Sequence, residues 1–183
     1  MYLKTTLPDE TTIVLRTPTE GDIPHLFEAA VASHKELAQW MPWCRADYRL
    51  ADTETWVRDT VASDSEHSFV IWDETENLCL GTCGLNDINT KHRCANLGYW
   101  VRSSHIGRGI ASSATLKVAQ FAFDQLELVR VEIVVAVGNG ASQRVAEKVQ
   151  ATREGIIRNG LVHGEKSLDA WMFSLIPADF LGE

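Results

Sequence analysis

The 183-residue sequence lacks several features that would assign it to a specialised class of protein. It has no apolar run approaching the roughly 20 residues of a membrane-spanning helix. Its first residues do not show the basic-then-apolar order of a signal peptide. It also contains no internal repeat, low-complexity tract or linker rich in Pro, Gly or Ser. We therefore expect a cytoplasmic protein without a membrane partner, folded as one domain, since domains commonly span about 100–200 residues.

Basic charge is also scarce, because 17 Lys and Arg stand against 25 Asp and Glu and give a formal net charge of -8. Binding to phosphate backbones needs a basic face, so this balance disfavours nucleic acid as a partner. An acidic protein suits a basic or amine-bearing partner, although acidity also serves solubility. The apolar share of 45% and the charged share of 23% exclude disordered, collagen-like and coiled-coil proteins.

The four cysteines form no Cys-x-x-Cys pair, which argues against a zinc site. Such a site would have to combine Cys79, Cys83, His92 and Cys94. Cys79 and Cys83 fall on a predicted strand, where a rise of ~3.3 Å per residue separates their Cα atoms by about 13 Å. That distance is too long for two ligands of one ion. We expect no metal and reduced, buried thiols.

Hydrophobic periodicity predicts alternating strands and helices in a mixed α/β layer structure. The clearest strand signal is a strict alternation of apolar residues at Val129, Val131, Ile133, Val135 and Val137. The predicted strands are 12–16, 68–72, 78–85, 94–102, 129–137, 152–158 and 168–176. The predicted helices are 23–33, 53–62, about 110–126 and 141–149. The predicted irregular segments are an aromatic-rich loop or broken helix at 34–50, a hairpin loop at 86–93 and a turn at Asn159-Gly160.

The sharpest chemical signal is the segment 104–111, Ser-His-Ile-Gly-Arg-Gly-Ile-Ala, between a predicted strand and a predicted helix. Gly107 and Gly109 would let the backbone N–H groups approach a phosphate beside the positive end of the helix dipole, and Arg108 adds charge. No Lys follows Gly109, which excludes a Walker loop, and a dinucleotide-binding loop would need a third glycine. A pyrophosphate loop of the coenzyme A type remains, alongside a simple tight turn.

Three segments of the chain are more specific together than singly. Leu-Gly-Tyr-Trp-Val at 97–101 runs into the loop and helix at 104–112. The pattern Val-x-Asn-x-x-Ser-x-x-Val-Ala-x-Lys follows at 137–148, and Leu-Arg-Thr-Pro at 15–18 precedes the first helix. In this order and spacing the sequence resembles the GNAT superfamily of acetyl-CoA-dependent N-acetyltransferases. It most resembles the Rim-type branch, which acetylates N-terminal amines of ribosomal proteins.

The resemblance implies one GNAT domain over 1–183, with a mixed, mostly antiparallel twisted sheet, helices on both faces and a splay between the fourth and fifth strands. Acetyl-CoA would be the cosubstrate, with its pantetheine arm pairing with the splayed backbone as an extra strand would. The residues expected to bind it are Trp100, Val101, His105, Ile106, Gly107, Arg108, Gly109, Ile110, Ala111, Asn139 and Ser142. Homodimers are common in this branch, so the resemblance also admits a homodimer.

Acetyl transfer to an amine requires a neutral amine, a donor for the developing oxyanion and a donor for the leaving thiolate. The backbone N–H of Val101, at the expected splay, is the candidate oxyanion donor. The hydroxyl of Ser142 is the candidate for protonating or hydrogen-bonding the sulfur. An alternative for Ser142 is a local hydrogen bond to Asn139 within the first turn of its helix.

The general base stays open at the level of sequence. The glutamate that related Rim-type enzymes use between the last two strands aligns with Leu161, and the family's acid before Gly-Tyr-Trp is Asn96. Glu165, His163 and Asp87 are candidates, each of which could equally be a solvated loop residue. A chain of waters could replace them, since an α-amino group with a pKa of about 7.7–8.0 is partly neutral at pH 7.

Two further groups fall near the expected site. The first is an aromatic cluster in the region that lines the acceptor cleft in the family. It consists of Trp40, Trp43, Tyr48 and Trp56. The cluster could cover the substrate, mediate dimer contacts or fill a core. Arg144 and Lys148 could reach the 3′-phosphate of coenzyme A, although a solvated helix face is the simpler interpretation.

Together these patterns predict an enzyme that acetylates a primary amine, with the N-terminal α-amine of a protein as the first expectation. The alternatives are a small amine, such as a toxin, antibiotic or metabolite, and a non-catalytic acyl-CoA-binding module. Fold alone does not choose between acceptors.

Overall fold

A computed structural model describes residues 1–63 and 65–180. Within this part of the chain, eight strands form one sheet in the order β1-β2-β3-β4-β5-β6-β8-β7, and only the pairing of β5 with β6 is parallel. The strands are β1 Tyr2–Thr6, β2 Thr12–Arg16, β3 His67–Asp73, β4 Leu78–Asn89, β5 Cys94–Val101, β6 Arg130–Ala136, β7 Thr152–His163 and β8 Lys166–Leu175. The helices are α1 Ile23–Ala32, α2 His34–Leu37, α3 Leu50–Ala62, α4 Ile110–Asp124 and α5 Gly140–Lys148.

Strand β3 explains why helices cover both faces of the sheet. Phe69 and Ile71 belong to the main core, which includes apolar side chains of α4 and α5. Val70 and Trp72 point to the other face and pack with residues of α1 and α3. A strand with two buried faces reads as a continuous apolar run, as this one does. The expected mixed, mostly antiparallel sheet with helices on both faces is thereby confirmed. None of the described helices is long and apolar enough to cross a membrane.

The first half of the chain departs from the sequence prediction in two places. The predicted pattern contains no strand before residue 12, whereas β1 pairs with β2 at the sheet edge. The hairpin loop predicted at 86–93 is too long, because β4 continues to Asn89. A register shift between Asn86 and Asn89 absorbs Asp87, whose φ is 51°. The broken helix expected at 34–50 is confirmed as the single turn of α2 followed by further turns.

The turn predicted at Asn159-Gly160 is wrong. Strand β7 runs through both residues to His163, and the chain reverses at Gly164 and Glu165 instead. Asn159 does adopt a left-handed φ of 51°, but within a bulge of the β7–β8 ladder. The Oδ1 atom of Asp169 accepts the Asn159 N–H at 2.8 Å and replaces the ladder bond that the bulge removes. The residue pair that predicted a turn therefore lies in a strand bulge, which a side chain ten residues further along the chain stabilises.

An ionic network ties β6 to its neighbours where it also pairs with β5. The Arg130 guanidinium donates to Glu132 at 2.8 Å and, with two nitrogens, to both carboxylate oxygens of Glu154 on β7. Ser174 on β8 donates to Glu154 at 2.6 Å. These bonds to Arg130 and Ser174 lower the pKa of Glu154 to about 2. The network therefore pins three strands at the end of the sheet where β5 and β6 are still in contact.

The depressed pKa of Glu154 predicts an acid-sensitive part of the stability. A folded-state pKa of about 2, below its ordinary value of 4.5, contributes stability that is complete above pH 4.5 and lost as the pH falls through about 2. We expect Glu154→Gln to lower the free energy of unfolding at neutral pH and to flatten its decline over that acid window. Denaturant titrations at several pH values measure this, with the exposed Glu10→Gln as the matched control. Equal pH slopes in wild type and Glu154→Gln would contradict the prediction.

Gly81 in β4 occupies a position where the backbone leaves no room for a side chain. Its φ is 138°, and a β-carbon there would overlap the carbonyl oxygen of Trp100 on β5. We expect Gly81→Ala to destabilise the protein by about 2 kcal/mol or more, since it combines a strained φ with a backbone clash. Gly98→Ala on β5 is the control, because a β-carbon there meets nothing within 4 Å. Denaturant unfolding compares the two, and equal losses would count against this reading of Gly81.

Candidate active site

The central feature of the site is a V-shaped opening between β5 and β6. The two strands pair only where Cys94–Asn96 lie beside Arg130–Glu132, and beyond this point β6 continues its pairing with β8 alone. The predicted splay between the fourth and fifth strands of the sequence pattern corresponds to this opening, since β1 adds one strand before them. The backbone of β5 beyond Asn96 therefore faces an open space on its β6 side.

The direction of the β5 backbone decides which residues present hydrogen-bonding groups to this opening. Arg102 N–H donates to Leu80 of β4 at 2.7 Å, and successive residues of a strand point their backbone groups to opposite sides. Val101 and Tyr99 therefore direct their N–H and C=O groups into the V. The carbonyl of Trp100 lies against Gly81 on β4. Of the two residues expected to bond the pantetheine arm, Val101 therefore turns its backbone groups into the V, whereas Trp100 turns them toward β4; Tyr99 also faces the V.

The loop between β5 and α4 is held by its side chains. The guanidinium of Arg102 forms an ion pair with Glu28 of α1, which holds the pKa of that carboxyl below its usual range. The Ser103 N–H donates to Ser33 Oγ at 2.9 Å, and His105 contacts Ser104 at 2.9 Å. The loop is therefore fixed to the α1 side of the sheet before it reaches its glycines.

The glycines of this loop expose its backbone. Gly107 and Gly109 have φ values of 83° and 86°, in the left-handed region that glycine adopts freely. Ile106 and Gly107 form a turn, and within residues 1–63 and 65–180 no acceptor is found for the N–H groups of Gly107 and Gly109. Ile106 is 68% exposed, and α4 begins at Ile110. The loop thus offers backbone N–H donors at a helix N-terminus, which is the kind of donor set that a pyrophosphate fits.

Two cations beside the loop differ from the sequence expectation. The Arg108 side chain turns away to Asp9, at 3.2 Å from Oδ2, and to Thr11 Oγ1 at 3.1 Å, so Asp9 shares its charge. Lys148 at the end of α5 instead places its Nζ atom 3.7 Å from where a β-carbon of Gly109 would lie. Lys148 is exposed, and its charge lies beside the loop, which fits the phosphate contact that the sequence left open beside a solvated helix face.

Ser142 lies in the first turn of α5 and faces β5 across the V. Its N–H donates to Asn139 Oδ1 at 3.1 Å, which makes Asn139 the N-cap of the helix. The Ser142 hydroxyl does not bond to Asn139 but lies 2.8 Å from the hydroxyl of Tyr99, which also lies 3.2 Å from the Ser142 carbonyl oxygen. Burial raises the pKa of Tyr99 well above its usual value. Tyr99 was missed in the sequence, where only the Leu-Gly-Tyr-Trp-Val motif pointed to it.

The three candidate bases lie in different parts of the structure. Glu165 occupies the exposed turn between β7 and β8, and Asp87 is exposed in the β4 bulge. His163 Nε2 lies 2.9 Å from the Ala38 carbonyl oxygen. A carbonyl only accepts, so Nε2 must carry the hydrogen of this bond and only Nδ1 could take up a proton. Leu161 pairs with Leu168 in the ladder. No carboxylate among the described residues is hydrogen-bonded to the Ser142 side chain.

The aromatic cluster divides between the site and the core. Trp43 packs on Trp100 with ring centroids 5.9 Å apart. Trp40 reaches Gly138 at the end of β6, where a β-carbon would come within 3.2 Å of its ring. These two side chains border the open end of the V. Trp56 packs instead against the buried core of α1 and α3.

The comparisons with known proteins agree with this geometry. The model of the acetyltransferase (GNAT) domain matches residues 12–152. The Bacillus subtilis protein named "Putative ribosomal N-acetyltransferase YdaF" is 30% identical over 176 residues, 93% of this chain and 94% of its own. The spermidine N(1)-acetyltransferase of Vibrio cholerae is 27% identical over 144 residues, 78% of this chain and 80% of its own. The solved structure of RimL, a ribosomal L7/L12 α-N-protein acetyltransferase in complex with coenzyme A, has a TM-score of 0.83 at 23% identity, covering 94% of this chain and 98% of that one.

The chain therefore belongs to the GNAT family of acetyltransferases and, within it, to the Rim-type branch. It is an acetyl-CoA-dependent N-acetyltransferase, and the free N–H groups of the loop and of the splayed strand fit that cosubstrate. Among the described residues, no three His, Cys, Asp or Glu side chains gather as a metal site would require.

The position of Lys148 predicts a measurable contribution to cosubstrate binding. We expect Lys148→Gln to raise the KM for acetyl-CoA by about 5-fold with little change in kcat, because an exposed charge pair contributes up to about 1 kcal/mol. The rise in the KM should become smaller as salt is added, because salt screens the charge of Lys148. Steady-state kinetics at two ionic strengths measure it. Lys117→Gln on α4, where Lys117 bonds only to its neighbour Gln120, is the matched control. An unchanged KM in Lys148→Gln would show that Lys148 is a solvated residue.

Proposed function

We propose that this enzyme transfers the acetyl group of acetyl-CoA to the N-terminal α-amine of a protein, by direct attack in a ternary complex. The observation that carries the proposal is the V between β5 and β6, with free backbone donors on one side and the Ser142 hydroxyl on the other. An acceptor amine and a thioester can both enter an opening of this kind, so no acetylated enzyme intermediate is needed. The ribosomal relative from Bacillus subtilis supports a protein acceptor.

Acetyl-CoA would bind along β5 and the loop that follows it. The amide groups of its pantetheine arm would pair with the backbone of Tyr99 and Val101, as a neighbouring strand would. Its pyrophosphate would accept from the N–H groups of residues 106–111, and Lys148 would face its phosphates. Asn139 would contact the pantetheine arm from the start of α5.

Two groups would act on the thioester during transfer. The Val101 N–H, which points into the V, would donate to the carbonyl oxygen as negative charge develops there. The Ser142 hydroxyl would donate a hydrogen bond to the sulfur as the C–S bond breaks. The amine nitrogen loses one proton and the sulfur gains one, so the reaction is balanced without a further reactant.

The acceptor amine would lose its proton to water and not to a fixed carboxylate. Glu165 is exposed on the β7–β8 turn, so we rank it below a chain of waters. An α-amine with a pKa of about 7.7–8.0 needs no strong base, whereas an alkylamine near 10.4 would. This difference favours an α-amine as the acceptor.

A small amine is the second candidate, and the spermidine acetyltransferase relative favours it. The net charge of -8 would attract a polyamine as well as a basic protein N-terminus. Either acceptor would enter past Trp40 and Trp43.

The domain, assembly and location expected from the sequence form part of the same proposal. Residues 1–183 would act as one GNAT domain in the cytoplasm. A homodimer would be the assembly, as in related members of the branch, and light scattering of the purified protein tests it.

The acceptor is tested with acetyl-labelled acetyl-CoA and three defined amines. These are a peptide with a free N-terminal Ser and no Lys, the same peptide N-terminally blocked with one Lys added, and spermidine. We expect label in the first peptide, with a rate that rises with pH through about 8 as the α-amine loses its proton. Ser142→Ala should lower kcat by about 10- to 100-fold.

The controls separate the remaining outcomes. Glu165→Gln should retain kcat within about 3-fold, because an exposed turn residue contributes little to general base catalysis. Label in spermidine alone would favour the small-amine acceptor. A large loss of kcat in Glu165→Gln would restore Glu165 as the base, and absence of label from all three amines would contradict the proposed acceptors.

A further inference from the structure

The hydroxyl of Tyr99 is a half-buried hydrogen-bond donor that the transfer described so far does not use. It lies 2.8 Å from Ser142 Oγ and 3.2 Å from the Ser142 carbonyl oxygen. The two residues are 43 positions apart in the chain, and they approach each other from opposite arms of the V. From this geometry we infer that Tyr99 is a positioning residue, whose hydroxyl donates to Ser142 Oγ and thereby directs the serine hydrogen toward the sulfur of acetyl-CoA. The inference rests on the proposed function.

Counting hydrogens supports this assignment. A phenol has one hydrogen, and a carbonyl oxygen accepts only. If Tyr99 donates to the Ser142 carbonyl, the 2.8 Å contact requires Ser142 to donate to Tyr99, and the serine hydrogen is turned away from the V. If Tyr99 donates to Ser142 Oγ, the serine hydrogen is free to point into the V. Rotation of two hydroxyl groups interconverts the arrangements.

The developing charge selects between the two arrangements. As the C–S bond breaks, the electron pair moves onto the sulfur, and a donor facing it becomes more favourable. Tyr99 then donates to Ser142 Oγ, and Ser142 donates to the sulfur. The first of these hydrogen bonds strengthens the second. Burial keeps Tyr99 protonated, since its pKa lies above the usual value. Tyr99 therefore donates a hydrogen bond and does not give up its proton.

Strand packing fixes Tyr99 where this role requires it. Tyr99 pairs with Cys83 of β4, and its ring packs against the main core beneath α4. Ser142 is fixed by the Asn139 cap of α5. Both groups are therefore held before any ligand enters, which is the condition for a donor to act without reorganisation.

The first test uses coenzyme A itself and needs no acceptor. The ultraviolet absorption of the thiolate gives the pKa of the bound coenzyme A thiol. A hydroxyl donating to the sulfur lowers that pKa, so wild type should bind coenzyme A with a thiol pKa below that of free coenzyme A. We expect Tyr99→Phe to raise the thiol pKa part of the way back, Ser142→Ala to raise it fully, and the double variant to match Ser142→Ala.

The second test is a double-mutant cycle of Tyr99→Phe and Ser142→Ala, in which kcat is measured with the peptide carrying N-terminal Ser. We expect Tyr99→Phe to lower kcat by about 3- to 10-fold, the cost of one hydrogen bond, with the KM for acetyl-CoA unchanged. In the Ser142→Ala background the same change should have no effect, because Tyr99 acts only through that hydroxyl. Tyr2→Phe removes a surface hydroxyl bonded to Glu74 and is the matched control.

The outcomes distinguish this inference from the proposed function. Equal losses from Tyr99→Phe in both backgrounds, or a coenzyme A thiol pKa that Tyr99→Phe leaves unchanged, would overturn the inference alone. A wild-type protein that binds no coenzyme A would overturn both. A lowered thiol pKa that depends on Tyr99 and Ser142 would support the inference even where none of the tested amines is acetylated.

Discussion

The interruption of the hydrogen-bond ladder between β5 and β6 is the constraint on which the site depends. Backbone groups inside a sheet are almost always paired, because leaving them without partners is costly. Here the pairing ends after Asn96 and Glu132, while β6 stays paired with β8 along its other edge. The Arg130 network fixes the closed end of the V, while the Arg102 ion pair with Glu28 fixes the far end of β5. Under the proposed function, the amide groups of acetyl-CoA would supply the hydrogen-bond partners that β6 does not provide.

The loop after β5 divides its work between side chains and backbone. Arg102, Ser103 and His105 bind to the protein and set the loop's position, and Arg108 binds Asp9 on the other side. The backbone N–H groups between them stay free for a ligand. In the proposed complex, this division would let the backbone at two glycines with left-handed φ recognise the pyrophosphate. A loop recognised through its backbone would also tolerate changes in its side chains.

Local patterns in the sequence predicted most of the sheet and the loop, because strand alternation and the Gly-x-Gly signal are short-range. The parallel contact and the splay came from resemblance to the family. The continuity of β7 was missed because Asp169 stabilises the bulge at Asn159 from another strand. For a similar reason Tyr99 was missed as a site residue, and Lys148 was named only as a less simple alternative to a solvated residue. Tyr99 meets Ser142 across 43 positions, and Lys148 meets Gly109 across the end of α5, so neither contact leaves a local signal.

The two halves of the site differ in how they are built, and this bears on acceptor choice. The transfer half consists of β5, the glycine loop and the start of α5, whose groups are held by backbone pairing and a helix cap. Under the proposed function, the acceptor half would be the α2–α3 segment and the β7–β8 hairpin, which the His163 contact to Ala38 joins and which Trp40 and Trp43 border. Loops and hairpin ends accept changes more readily than paired strands. Relatives named for ribosomal proteins and for spermidine both align with most of this chain. That breadth is what a fixed transfer half with a variable acceptor half would produce, and under the proposed function the determinants of specificity would lie in the aromatic segment and not at Ser142.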